Sequence, residues 1–254
     1  MRMVAAIGAA QLLSVLAIFG AGTADAAEIK MLVSNAMKTT MEELAPRFEK
    51  ASEHKLAITF GATSELKASI EKGEAFDVTI LTAAAIDDLV KQGKASAAGR
   101  ADIARAAFGM AARKGAPKPD ISTTAAFKQA LLDAKSIAYV EGGAGAPYLR
   151  GVFERLGIAD QIKSKTKLLP TINPAANAVA NGEAEFGITA VSEILPFTGA
   201  ELVGQLPPEI QFYSVSAAAI AANSKEPDAG KAFIKFLTAP AAAAVLKAKG
   251  LDPV

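Results

Sequence analysis

The residues best placed to do chemistry are small and hydroxylated, and they stand where helices begin. Gly61-Ala62-Thr63-Ser64 follows the alternating apolar run Leu56, Ile58, Phe60 and precedes a run with helical spacing, Leu66 and Ile70. A strand that ends in such a loop and feeds a helix leaves free backbone N–H groups at the helix's positive end, beside two hydroxyls. That combination suits an anion. Thr63 or Ser64 could equally act as an N-cap alone, its oxygen accepting from a first-turn N–H. Both readings stand at this point. Two other loops share the plan: Ser34-Asn35-Ala36 after the strand-like Ile29–Val33, and the Gly-rich 141–147 after Ser136–Val140.

Other chemistries lack their parts. There is no Cys and one His, His54, so soft-metal sites have no ligand set and no disulfide forms. His54 lies in the polar run Ser52-Glu53-His54-Lys55 and reads as a solvated turn residue; a Ser-His-Asp triad would need it, and no nucleophile elbow is present. No cofactor or metal and no catalytic residue is expected. The 27 Lys and Arg nearly cancel 26 Asp and Glu, without a basic run, which argues against nucleic acid as a partner.

The elements that must hold the loops follow from periodicity. Residues 1–26 carry Arg2, an apolar stretch from Val4 to Phe19 and the small-residue finish Ala24-Asp25-Ala26, the pattern of a secretory signal cut after Ala26. Export to a periplasm follows. In the remaining chain, Met37, Met41, Leu44 and Phe48 mark the inner face of a helix that contains Pro46, where a bend is expected. Phe76–Leu81 reads as a buried strand after Gly73, Ala85–Gln92 as a helix, Ala106–Ala112 as a strand, and Thr123/Thr124 as a helix start. The plan then repeats: strand Ser136–Val140, Gly-rich loop, helix Tyr148–Leu156, strand edge Leu168-Leu169, helix Ala175–Ala180, and a strand ending at Thr189. Gly73-Glu74-Ala75 and Gly182-Glu183-Ala184 open corresponding strands in the two copies. Repeated βαβ units predict an α/β protein of two lobes, each a mostly parallel sheet flanked by helices, with ligands at the C-terminal strand ends. Strand crossings near Ala106–Ala112 and Phe212–Ala219 would join them, giving residues 27–105 plus 217–254 as one lobe and 106–216 as the other.

The chain resembles the periplasmic substrate-binding proteins of molybdate-type ABC transporters. The resemblance is carried by Phe60-Gly61-Ala62-Thr63-Ser64-Glu65-Leu66 with Ile70–Val78, by Arg155-Leu156-Gly157-Ile158, and by the tail Ala232–Ala241 running to Lys249-Gly250-Leu251. It implies two α/β lobes hinged by two strands, closing on an oxyanion held by neutral donors. Carried over residue by residue, the first-loop Ser falls on Ala36, beside Ser34 and Asn35. The second-loop Ser falls on Thr63, followed by Ser64. The backbone donor of the third loop falls near Gly145, and the apolar residue opening the next helix on Ile172. The Tyr falls on Ala190. The resemblance thus implies a ligand site at Ser34, Asn35, Ala36, Thr63, Ser64, Gly145, Ile172 and Ala190, lacking two side-chain donors. A larger charged anion such as a carboxylate, with Lys38 or Arg150 nearby, fits that loss better than molybdate.

The leading expectation is therefore a monomeric periplasmic binding protein that captures a small anion for a membrane ABC permease. The alternative is an isomerase of a polycarboxylate such as aconitate on the same scaffold, for which Glu65, Glu141 and Tyr148 are the available acid/base groups. An adhesion or scaffold protein is a third class, which would bind no small molecule.

Overall fold

The computed structural model describes residues 26–143, 145–170 and 174–254. The proposed leader, Ala26 apart, and Ile172 lie outside the described residues. In chain order the elements are β1 (Glu28–Ser34), α1 (Lys38–Ser52), β2 (Lys55–Gly61), α2 (Thr63–Glu71), β3 (Val78–Thr82) and α3 (Ala83–Lys91). A long strand, β4 (Ala101–Arg113), leads to α4 (Thr124–Asp133), β5 (Ile137–Val140), α5 (Ala146–Arg155), α6 (Ala159–Lys163) and β6 (Thr166–Leu169). Next come α7 (Ala175–Ala180), β7 (Phe186–Ala190), α8 (Val191–Ile194) and β8 (Ala200–Gln205). The chain closes with β9 (Tyr213–Ile220), α9 (Pro227–Leu237), α10 (Pro240–Ala248) and β10 (Asp252–Pro253).

The repeat read from the sequence is a repeat in space. β1 lies between β2 and β3, parallel to both, and β5 lies between β6 and β7, parallel to both. Antiparallel pairing enters through two strands. β3 pairs with β9, and β7 pairs with β4. β4 is long enough to serve both groups: Ala101–Ala107 run against β9, while Phe108–Ala112 run against β7 and Gly109–Arg113 against β8.

Side chains alternate across the strands and fill a layer on each face. Ile29, Met31 and Val33 of β1 join one core with α1, α9 and α10, whereas Leu32 joins the other with Leu66, Ile70, Ile86 and Leu89 of α2 and α3. On the first side Phe233 is fully buried and meets Phe48 edge-on, ring centres 5.0 Å apart. α1 contains Pro46 and runs on to Ser52. Thr123 caps α4, its hydroxyl accepting from the Ala126 N–H at 3.1 Å.

Several local expectations need correction. His54 is buried: its Nδ1 accepts from the Ala27 N–H at 3.1 Å, and its ring stacks on Phe48. Ala27, just before β1, covers it, which a local reading of polar neighbours misses. Thr63 is the first residue of α2, and the N-cap is Ala62, which has no side chain to donate or accept. The crossing strand expected near Phe212–Ala219 runs from Tyr213 to Ile220, after a 3₁₀ turn at Pro208–Ile210.

Candidate functional site

Helix starts from both halves face one cavity of about 490 Å³. From the first half come Ser34, Asn35 and Ala36 at the end of β1, Lys38, Thr39 and Glu42 of α1, Ala62 and Thr63 at the start of α2, and Thr82 before α3. From the second come Tyr139, Val140, Gly142, Gly143 and Gly145 before α5, Pro174 before α7, and Ile188–Ala190 running into Ser192 and Glu193 of α8. Ala106 and Phe108 of β4, with Ser214 and Ser216 of β9, complete the wall. The helix starts among these groups follow the C-terminal ends of the parallel strands, where helices point their free N–H groups inward.

The wall is rich in neutral donors. Eight Ser and Thr residues line it, and Lys38 is the one Lys or Arg among the described lining residues. Ser34 Oγ accepts from the Ala36 N–H at 3.4 Å, which shapes the first loop as a 3₁₀ turn over Asn35–Met37. Ser192 is 4% exposed and its Oγ has no hydrogen-bond partner. A buried hydroxyl left unpaired costs about 1–3 kcal/mol, so this one is poised for something that enters the cavity.

Gly145 owes its identity to space. Its φ of −85° suits any residue, yet a Cβ there would lie 2.1 Å from Phe108 Cε1. The missing side chain lets the loop before α5 lie against the Phe108 ring.

Two ionisable groups on the wall are perturbed. Burial pushes the Glu193 carboxyl up, opposed by the hydroxyl of Thr189, which donates to Glu193 Oε2. Burial also raises the Tyr139 phenol, opposed by the charge and hydrogen bond of Arg150.

Of the residues expected from the sequence, Ser34, Asn35, Ala36, Thr63, Gly145 and Ala190 are brought together on the cavity wall. Ser64 is not: one residue further round α2, it is exposed and turned away. Arg150 also misses the wall and acts behind it, through Tyr139. Ile172 lies outside the described residues. Glu65, Glu141 and Tyr148 are absent from the lining, and the Tyr148 hydroxyl donates to the Gln211 carbonyl at 3.3 Å. Glu193 was missed. A four-residue helix shows no periodicity, and nothing local in Val191-Ser192-Glu193-Ile194 reveals burial.

An α/β fold of two parallel βαβ groups, tied by two crossing strands around a cavity of helix starts, defines the type II periplasmic binding protein class. The chain belongs to the bacterial extracellular solute-binding protein family, whose model matches residues 29–252. It is 33% identical over 231 residues to a protein named aconitate isomerase from Pseudomonas sp, with 89% of this chain and 88% of that one covered. It is 29% identical over 262 residues to the molybdate-binding protein ModA of Azotobacter vinelandii, covering 98% and 96%. Among solved structures, the periplasmic molybdate-binding protein of Azotobacter vinelandii superposes with a TM-score of 0.72 at 23% identity, over 88% of this chain and 98% of that one. The substrate-binding domain of a putative molybdenum ABC transporter from Clostridium difficile gives 0.72 at 19%, over 90% and 100%.

Proposed function

We propose that this protein is a periplasmic solute-binding protein that captures a small carboxylate anion and delivers it, as a monomer, to a membrane ABC permease. The observation that carries the reading is the cavity wall: helix starts from both βαβ groups, eight hydroxyls and Lys38 around 490 Å³. Family membership supports capture of a solute. In this reading the lobes divide near residues 105 and 217 and close by bending of β4 and β9. The ligand touches Ser34, Asn35, Thr63, Gly145 and Ser192. Export with cleavage after Ala26 predicts an intact mass beginning at Ala27.

A carboxylate is favoured over bare molybdate because Ala36 and Ala190 face the cavity without side-chain donors. A tetrahedral oxyanion needs a tight shell of donors, and each one lost costs about 1–3 kcal/mol. Two losses weaken molybdate by roughly two to four decades. Calorimetry with molybdate, tungstate, sulfate and a panel of di- and tricarboxylates tests this. A carboxylate should bind, Thr63→Ala should weaken it, and submicromolar molybdate binding would overturn the assignment.

A second reading, an isomerase of an unsaturated polycarboxylate, is favoured by Glu193. Such an enzyme needs a group that takes a proton from carbon and returns one. Glu193 is a carboxyl with a raised proton affinity on the cavity wall. The 33% identity with a protein named aconitate isomerase supports it further. Incubation with trans-aconitate in deuterated water, followed by proton NMR, separates the two: turnover that disappears in Glu193→Gln establishes the enzyme, and an unchanged spectrum leaves the binder.

A further inference from the structure

Glu193 is unexpected in a cavity that captures anions. An ionised carboxylate against the ligand would repel it, and no cation among the described residues pairs with Glu193: the influences on it are burial and the Thr189 hydroxyl. The remaining ionisable groups on the wall are Lys38 and Glu42 of α1 and Tyr139 of β5. On the strands packed against α8, the charged groups are engaged elsewhere. Asp102 pairs with Arg100, Arg105 pairs with Asp252, Arg113 lies over Gly182, and Glu201 accepts from the Gly115 N–H and pairs with Lys118. β7 itself, Phe186–Ala190, carries no charge.

The geometry around the carboxyl gives it a different use. One oxygen, Oε2, is occupied by the Thr189 hydroxyl. Next to it in the same short helix is Ser192, buried on the cavity wall with its Oγ unpaired. We propose that Glu193 serves as a neutral carboxylic acid that donates its proton in a hydrogen bond to the bound anion, with Ser192 donating beside it. Thr189 holds the acid in place by occupying its second oxygen. Capture is then strongest in acid and weakens as the solution becomes alkaline, because the ionised form repels the ligand and offers it no donor. The site selects an anion with an unprotonated acceptor oxygen at this position and disfavours one that presents a hydroxyl there. This rests on the anion-capture reading and adds the group that sets its pH range.

The test is calorimetry with trans-aconitate and with molybdate, from mildly acid to mildly alkaline pH, on the full mature chain and on Glu193→Gln. Glutamine keeps an N–H donor and cannot titrate, and the ligand's own titration is common to both proteins. The wild type should lose affinity relative to the variant as pH rises, by up to about tenfold per pH unit once the acid ionises. Equal slopes in the two proteins would overturn the donor role while leaving anion capture intact. Binding of neither probe at any pH would refute capture of these anions and the donor role with it. Carbon-13 NMR of the Glu193 carboxyl in ligand-free protein decides independently: titration in the ordinary carboxylate range overturns the proposal whatever the binding result.

Discussion

Gly145→Ala adds one methyl group to the cavity wall, and the surroundings determine what it costs. The backbone at Gly145 sits at φ −85°, so alanine meets no conformational penalty there. The conflict is with Phe108, whose Cε1 and Cζ would lie 2.1 and 2.4 Å from the new Cβ. Phe108 has little room to retreat. Its ring meets Phe212 edge-on at 5.1 Å, and Phe212 stacks on Tyr148 at 4.9 Å. Its N–H donates to both the Phe212 carbonyl at 3.0 Å and Gln211 Oε1 at 3.1 Å. The loop before α5 must move outward instead. Overpacking of this kind costs about 1–3 kcal/mol. For a chain of this size each kcal/mol lowers Tm by about 2–4 °C, so a fall of roughly 2–12 °C is expected. Thermal unfolding of wild type, Gly145→Ala, Phe108→Leu and the double variant forms a cycle. The structure predicts that Phe108→Leu absorbs much of the alanine's cost, a coupling well above the ~0.5 kcal/mol of independent sites. An unchanged Tm in Gly145→Ala, or strictly additive effects, would refute the close approach of Gly145 and Phe108.

Three further outcomes follow from the same contacts. Ser192→Ala removes a buried unpaired hydroxyl, so ligand-free protein should gain about 1 kcal/mol while its affinity for a captured anion falls; thermal shift with and without ligand reads both signs. Glu193→Gln should become more stable than wild type as pH rises: a carboxyl whose pKa is raised by folding gives stability that is whole below its unfolded value and is lost through the raised one. Denaturant titrations across pH check this, and parallel curves would contradict it. Asp77 accepts from the Lys30 N–H at 3.0 Å and the Ser224 hydroxyl at 2.7 Å, linking β1 to the turn after β9. Asp77→Ala should therefore cost about 2 kcal/mol, measured by urea unfolding.

The fold was legible because its signals are local and strong. Alternation in Leu56–Phe60, helical spacing in Met37–Phe48 and glycine stops at Gly73 and Gly182 each follow from one element's own geometry. Both glycines adopt positive φ, 102° and 78°, as a stop requires. β8 was not seen, since Ala200–Gln205 is mostly half-buried and includes Gly204, which blurs alternation. In the site, the loops after β1, β2 and β5 were readable as helix starts. Which side chain of such a start faces inward was not: Thr63 lines the cavity and Ser64, one residue on, faces solvent. The sequence spacing that marks a helix start is indifferent to that difference of about 100°. Glu193 is a functional candidate through its place on the cavity wall, and that place depends on strands far away in the chain.

The contents of the wall also bear on why capture and isomerisation share one scaffold. In a site built mainly from neutral donors, with Lys38 as the cation on the described wall, selectivity comes from which acceptor oxygens find a donor. Such a site does not need a carboxylate, and an ionised one would oppose the ligand. A carboxyl set against the ligand is compatible with it only while protonated, and burial, opposed by the Thr189 hydroxyl, favours that form at Glu193. A protonated acid against a bound polycarboxylate is a hydrogen-bond donor when the ligand has no labile C–H within reach. It becomes a proton-transfer group when its conjugate base can reach one, and a raised pKa suits both roles. The distinction between a binder and an enzyme then lies in where the ligand's carbon skeleton sits relative to Glu193, which the ligand sets as much as the protein. A saturated tricarboxylate should be held unchanged by the same residues that would isomerise an unsaturated one, and the deuterium-exchange experiment with each in turn separates position from chemistry.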